Sequence, residues 1–400
     1  MRALMRRSAN ALLAVLFCAA AVTFAAQPST ANPDLPVSAR SAILIEAHSG
    51  RVLFEKNAHE PLPPASVTKV FTLAVALEAL RDGRVALDDL VTVSRRAASM
   101  GGTQVYLEVG EQMSFRDLLY GIAVESANDA AVAVAEHLAG TEEAFARRMN
   151  ERARQLGAQN TQLANASGLP PEDVGMAGMP HVTSAYDVAV VSRYAYTLPM
   201  FEELVSTYGP YRVRVGTRAE REFWNRNRLL RSYEGANGIK TGFTQEAGYC
   251  LAASAVRDGL HLLAVVLGAP SRDSRDEDIR TLLNWGFSQY QAQEVVEDSE
   301  PFGRVRVAKG LEDNVGVVAS RAVRVVVPRG TKAQVEREVR LEERVLAPVS
   351  RGQAMGELIV LQDGQEIDRV ELVAAADIPR GTAWSLLVST ARRLLGSFFW

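Results

Sequence analysis

Lys69 follows Ser66 by three residues at the head of a long apolar segment, and this spacing constrains the fold more than any other feature of the chain. Pro61 to Pro64 halts regular structure just before it. Val67 to Leu80 then has the apolar density and good helix formers of a buried helix, which places Ser66 at a helix N-terminus. Residues i and i+3 share a helix face, so the Lys69 amine can reach the Ser66 hydroxyl. The chain has five lysines among its 44 lysines and arginines, and a second of the five opens Lys240-Thr241-Gly242. Arginine stays protonated in proteins, whereas a buried lysine can lose its proton. An arginine-preferring chain that keeps a lysine beside a serine therefore has a chemical use for an amine. Burial and the positive end of the helix dipole both lower that lysine's pKa, making it a general base and Ser66 a nucleophile. The pairing points to serine acyl transfer.

The remaining pattern predicts an α+β domain over residues 37–290. Ala42 to Ala47 and Arg51 to Phe54 read as a β-hairpin around His48-Ser49-Gly50. Ser114-Phe115-Arg116-Asp117 reads as a capping box opening a helix to about Val124, and Asp129 to Leu138 as an alanine-rich helix. Ser126-Ala127-Asn128 falls on the connection between them. Gly238 to Thr244 leads into two further strands, Tyr249 to Val256 and Leu260 to Leu267, joined at Asp258-Gly259, and Ile279 to Tyr290 reads as a closing helix. Together these give an antiparallel sheet beside a helical cluster. From 291 to 379 apolar and polar residues alternate, as in Val305 to Ala308, Ala322 to Val327, Gln334 to Arg340 and Gly356 to Leu361, with turns at Pro328-Arg329-Gly330 and Asp363-Gly364. That texture predicts a small all-β sandwich domain. Residues 383–400 read as a separate amphipathic helix, with Trp384, Leu387, Val388, Leu395, Phe398 and Phe399 on one face, Arg392 and Arg393 on the other. This suits a helix lying in a membrane surface better than one spanning it.

At the other end, Arg2, Arg6 and Arg7 precede an apolar stretch from Ala11 to Phe24, and Thr23-Phe24-Ala25 supplies small residues at a cleavage site. Residues 1–25 thus read as an export signal. Cys18 lies inside it, leaving Cys250 alone in the mature chain, where an apolar run marks it as a buried strand residue. The five histidines show no ligand spacing, so no metal and no cofactor is expected. A net charge of −3 with no basic run disfavours nucleic acid.

Ser126 can relay a proton between Lys69 and a leaving amine, and Asn128 can hydrogen-bond both Lys69 and a substrate amide. Lys240 and Thr241, on a strand edge, offer a cation and a hydroxyl to a terminal carboxylate, and Gly242 lets substrate backbone approach. The backbone N–H groups of Ser66 and Phe243 would form an oxyanion hole. In the order S-x-x-K, S-x-N, K-T-G, these motifs resemble those of penicillin-binding proteins and serine β-lactamases. Pro64-Ala65-Ser66-Val67-Thr68-Lys69, Ser126-Ala127-Asn128-Asp129-Ala130, Ala166-Ser167-Gly168-Leu169, Asn225-Arg226-Asn227 and Gly238-Ile239-Lys240-Thr241-Gly242, with the β domain and the amphipathic tail, narrow the resemblance. The chain is similar to the low-molecular-mass penicillin-binding proteins of the serine-type D-alanyl-D-alanine carboxypeptidase family. The resemblance implies removal of the terminal D-alanine from peptidoglycan stem peptides through a Ser66 acyl-enzyme, with β-lactams acylating the same serine. It also implies that Arg226 adds positive charge near Lys240, and that the enzyme works at the periplasmic face of the bacterial cytoplasmic membrane, held to the inner-membrane surface by its tail. Phe243 stands where the family varies between polar and apolar residues. Other readings of the motifs are a DD-endopeptidase, a β-lactamase, for which no Glu-x-x-x-Asn element is evident between Asn128 and Lys240, and a non-catalytic cell-wall binder.

Overall fold

A computed structural model describes residues 33–362 and 364–381 of the chain. The export signal with Cys18, the Asp363 half of one predicted turn and the amphipathic tail lie outside the described residues.

The expected hairpin is present as β1 (Ser41–Glu46) and β2 (Val52–Lys56). A 3-10 turn, Ala65–Thr68, leads into α1 (Lys69–Arg81), buried on every side from Lys69 to Ala79, as expected of a helix apolar all round. A ribbon of β3 (Leu90–Thr92) and β4 (Gln112–Ser114) encloses α2 (Arg95–Ala98). Ser114 caps α3 (Phe115–Tyr120) by accepting the Asp117 N–H at 3.1 Å, but the capping box is only half made. The Asp117 carboxylate instead accepts the Tyr211 hydroxyl at 2.7 Å, a tertiary bond that the local sequence could not show. A π-helical turn, Gly121–Glu125, then precedes α4 (Asn128–Ala139) and α5 (Glu142–Gln155). Next come α6 (Ala185–Ala195), α7 (Phe201–Ser206), the ribbon β5 (Tyr211–Val213) with β6 (Arg221–Phe223), and α8 (Leu229–Ser232). The strands β7 (Ala236–Thr244), β8 (Gly248–Arg257) and β9 (Leu260–Ala269) complete an antiparallel sheet of order β2-β1-β9-β8-β7. Finally α9 (Arg272–Gln289) begins seven residues before Ile279, because Ser271 and Ser274 close a capping box ahead of its polar first turns.

Both faces of this sheet are covered, which is why its central strands read as continuous apolar runs. Ile43, Ile45, Leu263, Val265 and Leu267 face the helical cluster with Phe71, Leu77, Phe115 and Leu118. The alternate residues Leu44, Leu262 and Val266 pack with Ile279, Leu282 and Leu283 of α9. The C-terminal β domain has its own core. It pairs β10 (Tyr290–Val296) with β13 (Val323–Pro328) beside a six-stranded sheet of β11 (Pro301–Ala308), β12 (Asn314–Ala319), β14 (Glu336–Leu341), β15 (Arg344–Leu346), β16 (Ala354–Gln362) and β17 (Gln365–Ala374). Val325 and Val327 of β13 face that core, while Val326 between them packs into the α9 cluster, so one strand serves both. Among the described residues no helix is long and apolar enough to cross a membrane.

Candidate active site

Ala65, in a left-handed backbone at φ +48°, turns the chain from the proline segment into the 3-10 turn that carries Ser66, and Lys69 is the first residue of α1. The Lys69 side chain is 0% exposed. Its amine lies 2.7 Å from Asn128 Oδ1, 2.6 Å from the Ser167 carbonyl and 3.3 Å from Ser66 Oγ. Burial, then the nearby Lys240, hold Lys69 well below the ordinary lysine pKa, with Asp129 opposing. A neutral amine has two hydrogens and one lone pair. Asn128 and Ser167 can accept its two hydrogens at short distance, which would leave the lone pair for the longer Ser66 contact, a geometry in which Lys69 could take a proton from the serine.

The second motif is held by an irregular backbone. The π-turn ends at Ser126, buried and left-handed at φ +69°, and Asn128 starts α4. Asn128 gives its Nδ2 hydrogen to the Gly101 carbonyl at 2.8 Å, fixing Oδ1 toward Lys69. The next residue, buried Asp129, accepts the N–H groups of Val105 and Leu107 at 3.0 Å each. The loop 101–107 is thereby bolted to the Ser126-Ala127-Asn128 segment.

The third motif lies on β7, an edge strand of the sheet. A Cβ on Gly242 would lie 2.8 Å from the Pro64 carbonyl and 3.1 Å from the Ser66 nitrogen, so only glycine lets the strand close against the serine turn. Lys240 is 3% exposed and donates to the Thr241 carbonyl at 2.9 Å. Burial, Arg226 and Arg275 bring its pKa down to about 7, and Glu125 opposes them. Asn227 donates to the Gly238 carbonyl at 2.7 Å and ties the Asn225-Arg226-Asn227 segment to β7, while Arg226 pairs with Glu125 at 2.8 Å. Arg226 thus stands near Lys240 and bridges the second and third motifs. Thr241 is buried beside Lys240, and the Phe243 ring is 52% exposed, resting on Tyr249 with centroids 4.4 Å apart. Cys250 is buried in β8 and its thiol is pushed up by burial to about 11, which removes it as a nucleophile at neutral pH. Among the described residues no cluster of His, Cys, Asp and Glu could hold a metal ion.

Arg275 and His181 escape the sequence reading, which holds Asn165 only as part of a segment resembling the family and gives it no role. Arg275 is buried at the head of α9, in the turn that reading left outside the helix. Asn165 accepts the N–H groups of Ser167 and Gly168 at 3.1 and 2.8 Å, shaping the segment whose carbonyl holds Lys69. His181 accepts the Ala164 N–H on Nδ1 at 3.1 Å and faces Thr68 Oγ1 with Nε2 at 2.8 Å. Burial and Lys69 lower its pKa to about 4, so the ring is neutral, carries its proton on Nε2 and donates to Thr68.

With this geometry in view, residues 26–271 match the family model described as D-alanyl-D-alanine carboxypeptidase, and residues 290–380 match that of the penicillin-binding protein 5 C-terminal domain. The chain is 35% identical over 381 residues to D-alanyl-D-alanine carboxypeptidase DacF of Bacillus subtilis, covering 94% of this chain and 95% of that one. It is 32% identical over 398 residues to DacC of Escherichia coli, covering 96% of each. Among solved structures, penicillin binding protein 5 from Haemophilus influenzae superposes with a TM-score of 0.63 at 29% identity, over 87% of this chain and 99% of that one. The regulatory factor PBP3 from Streptococcus pneumoniae gives 0.70 at 27% identity, over 86% and 99%.

Proposed function

Because the chain belongs to the D-alanyl-D-alanine carboxypeptidase family, we propose that its Ser66 is the nucleophile that releases the terminal D-alanine from peptidoglycan pentapeptides. The enzyme is a serine-type carboxypeptidase of the penicillin-binding-protein fold. The observation that carries the residue assignment is the buried Lys69 amine, held by Asn128 and Ser167 with its remaining valence toward Ser66. Ser66 Oγ attacks the carbonyl of the penultimate D-alanine while Lys69 takes the hydroxyl proton. Ser126 relays that proton to the departing amine, the C–N bond breaks, and free D-alanine leaves an ester on Ser66. Water then attacks the ester and restores the hydroxyl. Protonated Lys240, Arg226 and Thr241 receive the terminal carboxylate, and Asn128 the substrate amide. The N–H groups of Ser66 and Phe243 stabilise the tetrahedral oxyanion, a donor of this kind contributing about 3–4 kcal/mol. Phe243 acts there through its backbone, so its exposed ring bears on substrate choice. A β-lactam, which mimics the D-Ala-D-Ala end, acylates Ser66. Export and peripheral attachment to the membrane through residues 383–400 complete the reading, and a chain truncated at Pro379 that stays as membrane-bound as the mature chain would overturn the attachment.

The deciding experiment measures D-alanine release from a pentapeptide ending in D-Ala-D-Ala. Release that is lost both in Ser66→Ala and after penicillin treatment is the expected result. Release that survives in Ser66→Ala overturns the nucleophile.

A further inference from the structure

The loop bolted to the second motif carries an exposed aromatic residue that the chemistry at Ser66 does not use. Tyr106 lies between the two residues whose N–H groups Asp129 holds, and Asp129 directly follows Asn128. Its backbone is left-handed at φ +58°, an unfavourable conformation for a bulky residue, and its side chain is 60% exposed. A second set of contacts fixes it there. Arg214 donates to the carbonyls of Val105 and Tyr106 at 3.0 and 3.2 Å and pairs with Glu111 at 2.6 Å, clasping the loop to the β5–β6 ribbon. From that ribbon the Arg221 guanidinium lies over the Tyr106 ring, 5.1 Å from its centroid. Neighbouring carboxylates are engaged elsewhere: Glu220 accepts the Gly216 N–H, and Glu222 is taken by Arg212 and Trp224. Among the described residues Arg221 pairs with no carboxylate, so an exposed guanidinium is held over an aromatic face.

Strain held by many contacts in a loop tied to the second motif is a reason to look for a ligand. A planar guanidinium suits a carboxylate, which it binds through two parallel N–H groups. The position limits whose carboxylate it is. Arg221 precedes Arg226 by five residues of chain, so their Cα atoms are at most about 17 Å apart, close to the roughly 14 Å between the first and last Cα of an extended pentapeptide. With side chains extending from both, a stem peptide whose C-terminal carboxylate lies at Lys240 and Arg226 is of the length that would bring its upstream residues toward Arg221. We propose that Tyr106 and Arg221 form a second recognition site that takes a carboxylate on the stem peptide upstream of the scissile D-Ala-D-Ala bond. This rests on the carboxypeptidase reading above. Tyr106 fixes the guanidinium, Arg221 binds the carboxylate, and neither takes part in acyl transfer.

The test compares kcat/KM for D-alanine release from two probes with the mature protein. One is a neutral acylated tripeptide ending in D-Ala-D-Ala; the other is a pentapeptide with the same end and a free carboxylate on one of its first three residues. Arg221→Gln is expected to lower kcat/KM for the acidic pentapeptide by about three- to fivefold, the weight of one partly exposed charge pair, leaving the tripeptide within about twofold. Tyr106→Ala should act in the same direction, and Arg221→Lys, which keeps the charge without the planar fork, should fall between. The wild-type preference for the acidic probe should shrink at high salt, as an exposed interaction must. A parallel loss on both probes, or an unchanged ratio in an active enzyme, overturns the second site alone. Absence of release from either probe by the wild type overturns it together with the carboxypeptidase reading.

Discussion

Lys240 sits where its charge is costly until a substrate carboxylate arrives, and its pKa of about 7 has consequences of definite sign. If the ammonium binds that carboxylate, kcat/KM has an alkaline limb near this pH, because the free enzyme loses the charge above it. Arg226→Gln removes a repelling cation and should move the limb to higher pH even as kcat/KM falls, whereas Glu125→Gln removes the supporting carboxylate and should move it lower. Shifts in the opposite directions would detach the limb from Lys240. Stability follows from the same shift. The folded lysine binds fewer protons than the unfolded one between about pH 7 and the ordinary lysine value of 10.5, so its contribution to stability rises with pH across that window. Its burial penalty is fully present below about pH 7, where Lys240→Met should stabilise most in urea unfolding. His181 works through packing instead: replacing it by alanine leaves the Ala164 N–H and the Thr68 hydroxyl unpaired in the interior, at about 1–3 kcal/mol for each buried group. Unfolding that changes by less than about 0.5 kcal/mol, the range of a neutral surface substitution, would show that water replaces the ring. The sequence displayed Ser66, Lys69, Asn128 and Lys240 because their spacing along the chain is the signal. It did not display His181, whose partner Thr68 is 113 residues away and meets it only in the folded state.

At the level of elements, helices and strands were legible wherever one face or both were continuously apolar, as in α1 and β9. What escaped was the backbone between them. Ala65, Tyr106 and Ser126 all have positive φ without being glycine, and nothing in a side chain announces that conformation, because the surrounding contacts impose it. The start of α9 was missed for a related reason: its first turns are polar, and the Ser271–Ser274 cap sets the boundary in place of hydrophobic periodicity. The segment from Asn165 to Leu169 shows how tightly such irregular pieces fit. Gly168, at φ +83°, rests against the serine turn so closely that a Cβ would fall 2.0 Å from the Ala65 carbonyl oxygen and 2.9 Å from Thr68 Oγ1. Gly168→Ala must therefore push the segment away and lengthen the bond from Lys69 to the Ser167 carbonyl. We expect a loss of about 1–3 kcal/mol in stability from overpacking, together with slower acylation of Ser66 by penicillin. Wild-type acylation in the alanine variant would mean that the segment only covers Lys69 and does not set its geometry.

Across the whole molecule, alternation after Gln291 foretold a β domain but not how it meets the rest, since docking depends on a few residues that look like ordinary surface. The hairpin turn of β1 and β2 offers His48, whose Nε2 lies 2.9 Å from Asp368 on β17, and Arg321 holds the same carboxylate at 2.7 and 2.9 Å. Nearby, Arg51 donates to the Val326 carbonyl at 3.3 Å, alongside the strand that both cores share. The Asp368 hydrogen bond raises His48 above its ordinary value of 6.5. Burial alone would push the Asp368 carboxyl up, but His48 and Arg321 outweigh it and hold it well below the usual carboxylate range. Asp368 is therefore ionised at any pH where the protein is handled, and His48 is the partner that titrates. Because the folded-state pKa of His48 is raised, its contribution is fully present below about pH 6.5 and is lost as pH rises through the folded value. His48 is half exposed, so solvent screening keeps the effect to at most about 1 kcal/mol. His48→Gln should thus destabilise the β1–β2 turn against the C-terminal domain more at about pH 5.5 than at about pH 8.5, a difference that urea unfolding at the two pH values measures. Arg321→Gln should enlarge that pH dependence, because it removes a cation that lowers the His48 pKa and leaves His48 as the main partner of Asp368. Equal destabilisation at both pH values would mean that the histidine acts by shape, as a neutral hydrogen-bonding group, and that the contact between the two cores rests on Val326 and the arginines alone.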